Sequence, residues 1–368
     1  MAGFEPSTRQ AIYTAIIRET IEGVDFVSDP VQDFIDAVGL LESNRLDEAL
    51  ELFLKVSKNR NYAPFCNYRI AQISNMIGDP ETAYDLYYKA FTAMPKITSE
   101  IYAKEHSSFN YVFRGKKDEK ENTKCTLCGG ESVARWCYPL VEANDYNEFF
   151  NPIRMWMYCE PCHHMFAREF PEKIFLYNSN PRKTDPAYFS YYSEILSTIR
   201  RSGYASGMSL FEVGIGASEC LLAAREIGYE TFGIDVIEKH VEVAKNKYGL
   251  NAETADFIEY NSKRKWDVII MGDVLEHVSD PDKAIKKAES MLDDNGALWI
   301  STPTFESAFS AVVGHGDAMR RQQYHLNYFS RESLYMLLER NNLVAVDYKI
   351  SGHFNGSMEV IVIKESRI

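Results

Sequence analysis

The sequence predicts a multidomain α + α/β protein: helical repeats first, then a small cysteine module, then a longer domain in which strands and helices alternate. Three stretches carry that prediction. Ala49 and Ala83 stand 34 residues apart, each inside an amphipathic helical pattern. Two Cys-x-x-Cys pairs, Cys125/Cys128 and Cys159/Cys162, are separated by thirty residues. From Met208 to Asp235 an apolar strand runs into Gly214-Ile215-Gly216, a helix opens, and a second apolar run ends on an acid. That last order is a physical recipe for holding a nucleotide-like ligand at the tip of a parallel sheet.

At 368 residues the chain has room for three units, read here as 1–97, 98–177 and 178–368. A net charge of −13 argues against a broad electrostatic grip on nucleic acid, which needs clustered Lys and Arg. No apolar run is long enough to predict a membrane span. Glu5 and the broken apolar pattern after it do not read as a secretory signal. Four of the seven cysteines lie in the two close pairs, which fits a reducing compartment and metal binding better than disulfides. The expected location is the cytoplasm.

The first hundred residues read as helices. Ile12, Ile16 and Ile17 give 7–22 an apolar face. In the clearer repeat Ala71 is the small residue of a first helix, Gly78 the turn and Ala83 the small residue of a second. Tyr87 and Ala90 follow at helical steps, and Pro95 ends the unit. Asp79 is placed to cap the second helix, with Pro80 in its first turn. The unit resembles a tetratricopeptide repeat, whose period is 34. An earlier copy over 30–61 keeps Ala49 and Phe53. Such helices can offer a concave surface to a protein partner or serve as a scaffold, and both readings stand at this level.

A charged segment, Arg114 to Lys124, reads as an exposed linker into the cysteine module. Cys125, Cys128, Cys159 and Cys162 can close a tetrahedron of thiolates around zinc, with Gly129 and Gly130 relaxing the first turn. Four protein ligands leave no open position, so the zinc is expected to be structural, in a zinc-ribbon-like module. Cys137 reads as a buried thiol, and His163 or His164 is an alternative ligand. Few large apolar residues flank the knuckles, so the module is expected to need its metal to fold. The polar, acidic run from Val141 to Glu148 argues against RNA binding and for a scaffold or lid.

The last unit opens with an aromatic stretch, 178–196, preceded by Tyr177 and holding Tyr188, Phe189, Tyr191 and Tyr192. It reads as a cover over a cofactor or as a helix packed on the sheet. Helices are expected over 218–227, stopped by Gly228, over 238–248, and from Asp280-Pro281 onward. Strands are expected over 231–234, 251–254, 266–271 and 297–301, with two adjacent strands, 343–350 and 358–364, at the end. Glu219 fills the sixth place of G-x-G-x-x-G, where a dinucleotide fold wants glycine. Glu212 before the turn suits a cationic ligand better than a pyrophosphate.

The motifs EVGIGAS, GID, ADF, DVIIMGDVLEHVSDP, LDDNGALWISTPT and HLNYFSRESL together resemble the class I S-adenosylmethionine-dependent methyltransferases, in the branch with VLEHV and H-L-x-x-F-S. The resemblance covers Met208 to the C-terminus. It implies a Rossmann-like seven-stranded domain. With the preceding knuckles and aromatic stretch the chain is also similar to bacterial methyltransferases of glycan and surface-polysaccharide pathways. One departure is Ser218 at the third glycine place, which suits a helix start.

Carried over residue by residue, the resemblance implies that Glu212, Gly214 and Gly216 hold the methionine part of S-adenosylmethionine. Asp235 takes the ribose hydroxyls, with Val236 against the adenine. Asp256 meets the adenine amino group, with Phe257 on the other ring face, and Asp273 lies beside the cofactor's amino end. A histidine is the usual base for the acceptor's proton; His277 and His325 are the two candidates. The insert from Thr304 to Gln323 is expected to form part of the acceptor pocket. The leading expectation is methylation of a hydroxyl on a sugar or glycan intermediate. Peptide or RNA methylation, and a repeat-based binding protein with an inactive methyltransferase domain, are the alternatives.

Overall fold

A computed structural model of the chain describes residues 29–143, 145–171, 183–205, 207–352 and 354–368. The helix expected over 7–22, the start of the aromatic stretch with Tyr177, and His353 lie outside these residues. The N-terminal part forms two helical hairpins: α1 (Pro30–Glu42) with α2 (Leu46–Val56), then α3 (Ala63–Met76) with α4 (Pro80–Ala93). The Asp29 and Asp79 side chains accept from Val31 N and Thr82 N at 2.9 and 3.1 Å, so each caps a helix that opens on proline. Gly78 takes a positive φ of 89° in the tight turn between α3 and α4. Ala49, Ala71 and Ala83 are fully buried, where small side chains let the helices approach.

The cysteine module begins with β1 (Lys120–Glu121), followed by β2 (Val133–Pro139), β3 (Ile153–Cys159), β4 (His164–Ala167) and β5 (Glu169–Phe170). β2, β3 and β4 form an antiparallel meander, and β1 pairs with β5. Every residue of β3 but Tyr158 is buried. The module is therefore richer in large apolar side chains than the sequence around the knuckles suggested, because both faces of its sheet are covered. α3 and α4 cover one side: Tyr84 donates to both Glu169 oxygens at 2.8–2.9 Å, and Cys137 N donates to Asn75 Oδ1 at 2.8 Å. The charged linker is strapped down as well. Lys116 pairs with Glu169 at 2.9 Å and Lys117 N donates to Asn151 Oδ1 at 2.7 Å.

The C-terminal half starts with α5 (Ala187–Arg201). Then come β6 (Ser209–Val213), α6 (Glu219–Ile227), β7 (Glu230–Asp235), α7 (Glu238–Tyr248), β8 (Ala252–Thr254) and β9 (Trp266–Gly272). Next are α8 (Pro281–Met291), β10 (Leu292–Pro303), α9 (Ala308–Val313), β11 (Asn327–Phe329), α10 (Arg331–Glu339), β12 (Leu343–Ile350) and β13 (Ser357–Lys364). Seven of these strands make one sheet in the order β12-β13-β10-β9-β6-β7-β8. β13 runs antiparallel to both its neighbours, and the other pairings are parallel. This is the Rossmann-like, seven-stranded sheet expected of a methyltransferase. α5 lies as a helix on its face, with Tyr191 and Tyr192 edge-on to Trp299 at 6.2 and 6.4 Å. Among the described residues no helix is long and apolar enough to cross a membrane.

β11 does not join that sheet. It pairs with β4, Asn327 opposite Phe166 and Phe329 opposite His164, giving a four-stranded sheet β11-β4-β3-β2. Residues 304–326 are carried onto the cysteine module with it. Trp156 Nε1 donates to the Arg320 carbonyl at 2.9 Å, and the Arg320 guanidinium lies 3.6 Å over the Trp136 ring. Asp317, buried, accepts from Ser310 and Tyr328 hydroxyls at 2.8 Å each. The insert is thus a folded part of the module's core.

Candidate active site

The C-terminal ends of β6 and β9 lie side by side, since Val213 stands opposite Met271. Chains leaving a parallel sheet at such a point open the crevice in which ligands of this architecture sit. Gly214 and Gly216 have φ of 74° and 47°, and Ser218 follows at 71°. The two glycines adopt this region freely, whereas serine costs about 1–2 kcal/mol there. Ser218 makes no side-chain cap to α6, contrary to the expectation that it would serve the helix start. Its hydroxyl is buried and without a partner among the described residues.

Three acids gather at this turn. Asp235, at the end of β7, accepts from Gly216 N at 3.0 Å, Ile237 N at 2.8 Å and His240 Nδ1 at 3.1 Å. It holds the glycine turn against β7. Glu219 accepts from Asp185 N at 2.9 Å, seating the segment before α5 on the turn. Glu212 is buried, and its Oε2 has no hydrogen-bond partner among the described residues. Burial, with the charges of Glu219 and Asp235 beside it, pushes the Glu212 carboxyl well above the usual range.

The other expected cofactor residues lie on the segments that follow β7, β8 and β9. Val236 is half-buried after β7. Asp256 is exposed and caps Ile258 N at 2.8 Å. Phe257 is buried, its ring 6.3 Å from Phe211 in the core. Asp273, at φ 52° just past β9, is fixed by Ser301, whose hydroxyl donates to it at 2.8 Å.

His277 and His325 come together although 48 positions separate them in the sequence. Their ring centroids are 4.9 Å apart in an edge-on arrangement. His277 ends the one-turn helix Leu275–His277 after β9, and its Nδ1 lies 3.0 Å from the Tyr324 carbonyl. A carbonyl only accepts, so the proton sits on Nδ1 and Nε2 carries the lone pair. Burial lowers the His277 pKa, and burial followed by the charges of His277 and Arg154 lowers that of His325 further. Arg154, buried on β3, donates to the His325 and Gln323 carbonyls at 2.5 and 2.8 Å. Asn327 on β11 donates to the Leu275 and Val278 carbonyls at 3.3 and 2.7 Å, clamping the turn that carries His277.

Two residues beside the histidines had no role assigned from the sequence. Glu276 is 1% exposed; its Oε2 accepts from the Thr302 hydroxyl at 3.0 Å and its Oε1 has no hydrogen-bond partner among the described residues. The signal was there in VLEHV, a carboxylate in an otherwise apolar run. Arg154 offered none, because its position depends on a strand pairing across the chain.

The four cysteines meet as expected. Their sulfurs lie within 4.8 Å of one another, Cys128 Sγ and Cys159 Sγ at 3.6 Å. Leu127 N and Gly130 N point at Cys125 Sγ and Cys128 Sγ at 3.4 and 3.3 Å, the contacts a thiolate accepts. This cluster can hold a metal ion. Neither alternative histidine belongs to it: His163 turns toward Tyr158 and Glu332, and His164, buried, sits against Thr126 and Asn327. Burial takes the His164 pKa down to about 3. Cys137 is buried among core side chains, away from the cluster.

Residues 186–348 match the family model described as "Methyltransferase domain". A ubiquinone biosynthesis O-methyltransferase of Pelagibacter ubique is 32% identical over 114 residues, covering 29% of this chain and 48% of that protein. One of Bartonella bacilliformis is 26% identical over 155 residues, covering 39% and 62%. The chain spans about half the length of the first of these relatives. A magnesium protoporphyrin IX methyltransferase from Synechocystis, solved with S-adenosylhomocysteine, covers 50% of this chain and 90% of its own at 16% identity and TM-score 0.41.

Proposed function

We propose that this chain, whose C-terminal half is a class I S-adenosylmethionine-dependent methyltransferase domain, transfers the cofactor's methyl group to a hydroxyl of a small polar acceptor. One observation carries the reading: the acid-rimmed glycine turn follows β6, and His277, with His325 packed against it, follows the neighbouring strand β9 of the same seven-stranded sheet. In the cofactor's place Gly214 and Gly216 let the backbone approach, Glu212 answers the cationic methionine end, and Asp235 and Val236 take the ribose and adenine. Asp256 and Phe257 serve the adenine from the next loop, and Asp273 the amino end. The sulfonium is already activated, so the protein has to align the acceptor and accept its proton. His277, its Nε2 lone pair free, fits the base, and His325 packs against it.

The hydroxyl is carried over from the relatives, whose printed names are of O-methyltransferases. The sugar or glycan class rests on the resemblance to glycan-pathway enzymes. We assign zinc to the four thiolates, as a structural ion with no open position. The two hairpins keep the 34-residue spacing of a tetratricopeptide pair and dock α3 and α4 on the cysteine module, which favours a scaffold over a free groove for a partner protein. The test is a mass-spectrometric assay with nucleotide-sugars and S-adenosylmethionine. Methylation of none of them, with cofactor bound, moves the acceptor to another class.

Two predictions belong here. Glu212 keeps a proton above the usual carboxylate range, so binding the cationic cofactor ionises it. S-adenosylmethionine should bind more tightly as pH rises above 4.5 toward the raised value, releasing up to about one proton. Calorimetry in buffers of different ionisation enthalpy reads this; an affinity flat with pH and no released proton would refute it.

His277→Ala and His325→Ala should each lower turnover by about 10²–10⁴-fold at saturating cofactor if the residue acts as base. Both imidazoles have pKa values below the ordinary 6.5, so the wild-type rate should fall only as pH drops below that value. If neither substitution slows turnover, the base assignment is wrong.

A further inference from the structure

We propose that Arg154, which reaches in from the cysteine module, is a positioning residue for the histidine pair. It fixes both rings and keeps His325 unprotonated, so that the acceptor's proton goes to His277. This role rests on the base reading given above.

The geometry is a clamp across three consecutive residues. Arg154 is the second residue of β3 and 2% exposed. Its two terminal nitrogens donate to the Gln323 and His325 carbonyls at 2.8 and 2.5 Å. Between those residues stands Tyr324, whose carbonyl takes the His277 Nδ1 proton at 3.0 Å. One guanidinium thus fixes the backbone that carries His325 and the acceptor that orients His277.

The charge of Arg154 does more than hold carbonyls. The acids whose charge reaches it, Glu119 and Glu169, are engaged elsewhere. Glu119 accepts from Asn151 N at 2.7 Å, and Glu169 from Tyr84 and Lys116 at 2.9 Å. Burial takes the Arg154 pKa down to about 10, which leaves it charged at neutral pH. Burying a cation in this way is costly, and a neutral amide would hold a carbonyl without that cost.

Two imidazoles with centroids 4.9 Å apart do not both take a proton near neutral pH. The groups facing each ring decide which goes first. His325 meets the Met319 carbonyl, which favours its charged form, but also His277 and the Arg154 cation, which oppose it. His277 meets the Tyr324 carbonyl and the Asp273 carboxylate, and both favour its charge. One oxygen of Glu276 lies within 4.8 Å of a nitrogen of each ring, and burial beside Asp273 pushes this carboxyl toward its neutral form. The acceptor's proton therefore passes to His277 Nε2. Its oxygen attacks the methyl carbon, and the S–CH₃ bond breaks with its electron pair left on sulfur. A neutral His325 spares the new imidazolium a second one beside it.

The test is a pH titration of the full chain, isotope-labelled at histidine and read by long-range proton–nitrogen NMR. His277→Gln and His325→Gln assign the two rings, which are coupled and must be read one by one. In the wild type His277 should protonate first, with His325 still neutral. In Arg154→Met the loss of the cation should raise the His325 midpoint, and the acidic limb of the pH–rate profile should move up in pH. Arg154→Lys keeps the charge but not the fork, so the His325 midpoint should stay low while turnover falls by up to about 100-fold. Unchanged S-adenosylhomocysteine binding certifies the fold of each variant. The proposal is overturned if His325 protonates before His277 in the wild type, or if its midpoint is the same in folded Arg154→Met. A midpoint that rises as far in Arg154→Lys as in Arg154→Met also overturns it. The expected titrations, with His277→Ala as active as the wild type, would instead overturn the base reading and leave the hold of Arg154 on His325 standing.

Discussion

Cys159→Ser should cost about 5 kcal/mol or more, among the largest effects open to a single substitution, because it removes a metal ligand from a closed site. At about 2 °C per kcal/mol for a domain of this size, the unfolding midpoint drops by roughly 10 °C. Zinc content, one ion per wild-type chain at the thiolates, should fall to near zero after dialysis against a chelator. Methyl transfer should fall with it, for a reason visible in the contacts. Thr126, between Cys125 and Cys128, donates to Asn327 Oδ1 at 3.2 Å, and Asn327 clamps the turn carrying His277. Cofactor binding should change little, since the glycine turn touches none of these residues. A variant that keeps its zinc, or one that loses zinc without losing stability, would remove the structural role.

Asp235→Ala should weaken S-adenosylmethionine binding about ten- to a hundredfold, the loss of roughly 1.5–3 kcal/mol of charge-assisted hydrogen bonding. Asp235 also accepts from Gly216 N, so alanine frees the turn itself. Asp235→Asn keeps the size and one acceptor oxygen and should fall between alanine and wild type. Calorimetry with S-adenosylhomocysteine measures all three. A change within threefold for alanine would take the ribose away from Asp235.

Much of the fold could be read ahead of the structure because its signals are local. Glycines at 214 and 216, an acid at 235, and apolar runs of strand length each announce themselves within a few residues. The same holds for Asp79-Pro80 at the start of α4 and for the cysteine spacing. What could not be read is non-local. Nothing in HLNYFS says that Asn327–Phe329 will pair with β4, and nothing in IRMWMYC says that Arg154 will hold His325. The thinness of the cysteine module was overestimated for the same reason, since the side chains that fill it come from α3, α4 and the insert. Ser218 shows the other limit: a left-handed φ at a serine is imposed by the turn, against the residue's own preference.

The pairing of β4 with β11 also sets an order of events during synthesis. Residues 164–167 leave the ribosome roughly 160 residues before their partner strand, an interval of about 8–30 s at ordinary elongation rates. For that time β4 offers an open edge flanked by apolar side chains, the kind of edge on which chains aggregate. Contacts of such long sequence separation also form slowly. Metal captured early by the four thiolates would pin β3 to β4 through this wait. The cysteine knuckles would then guard a nascent edge as well as brace a finished enzyme.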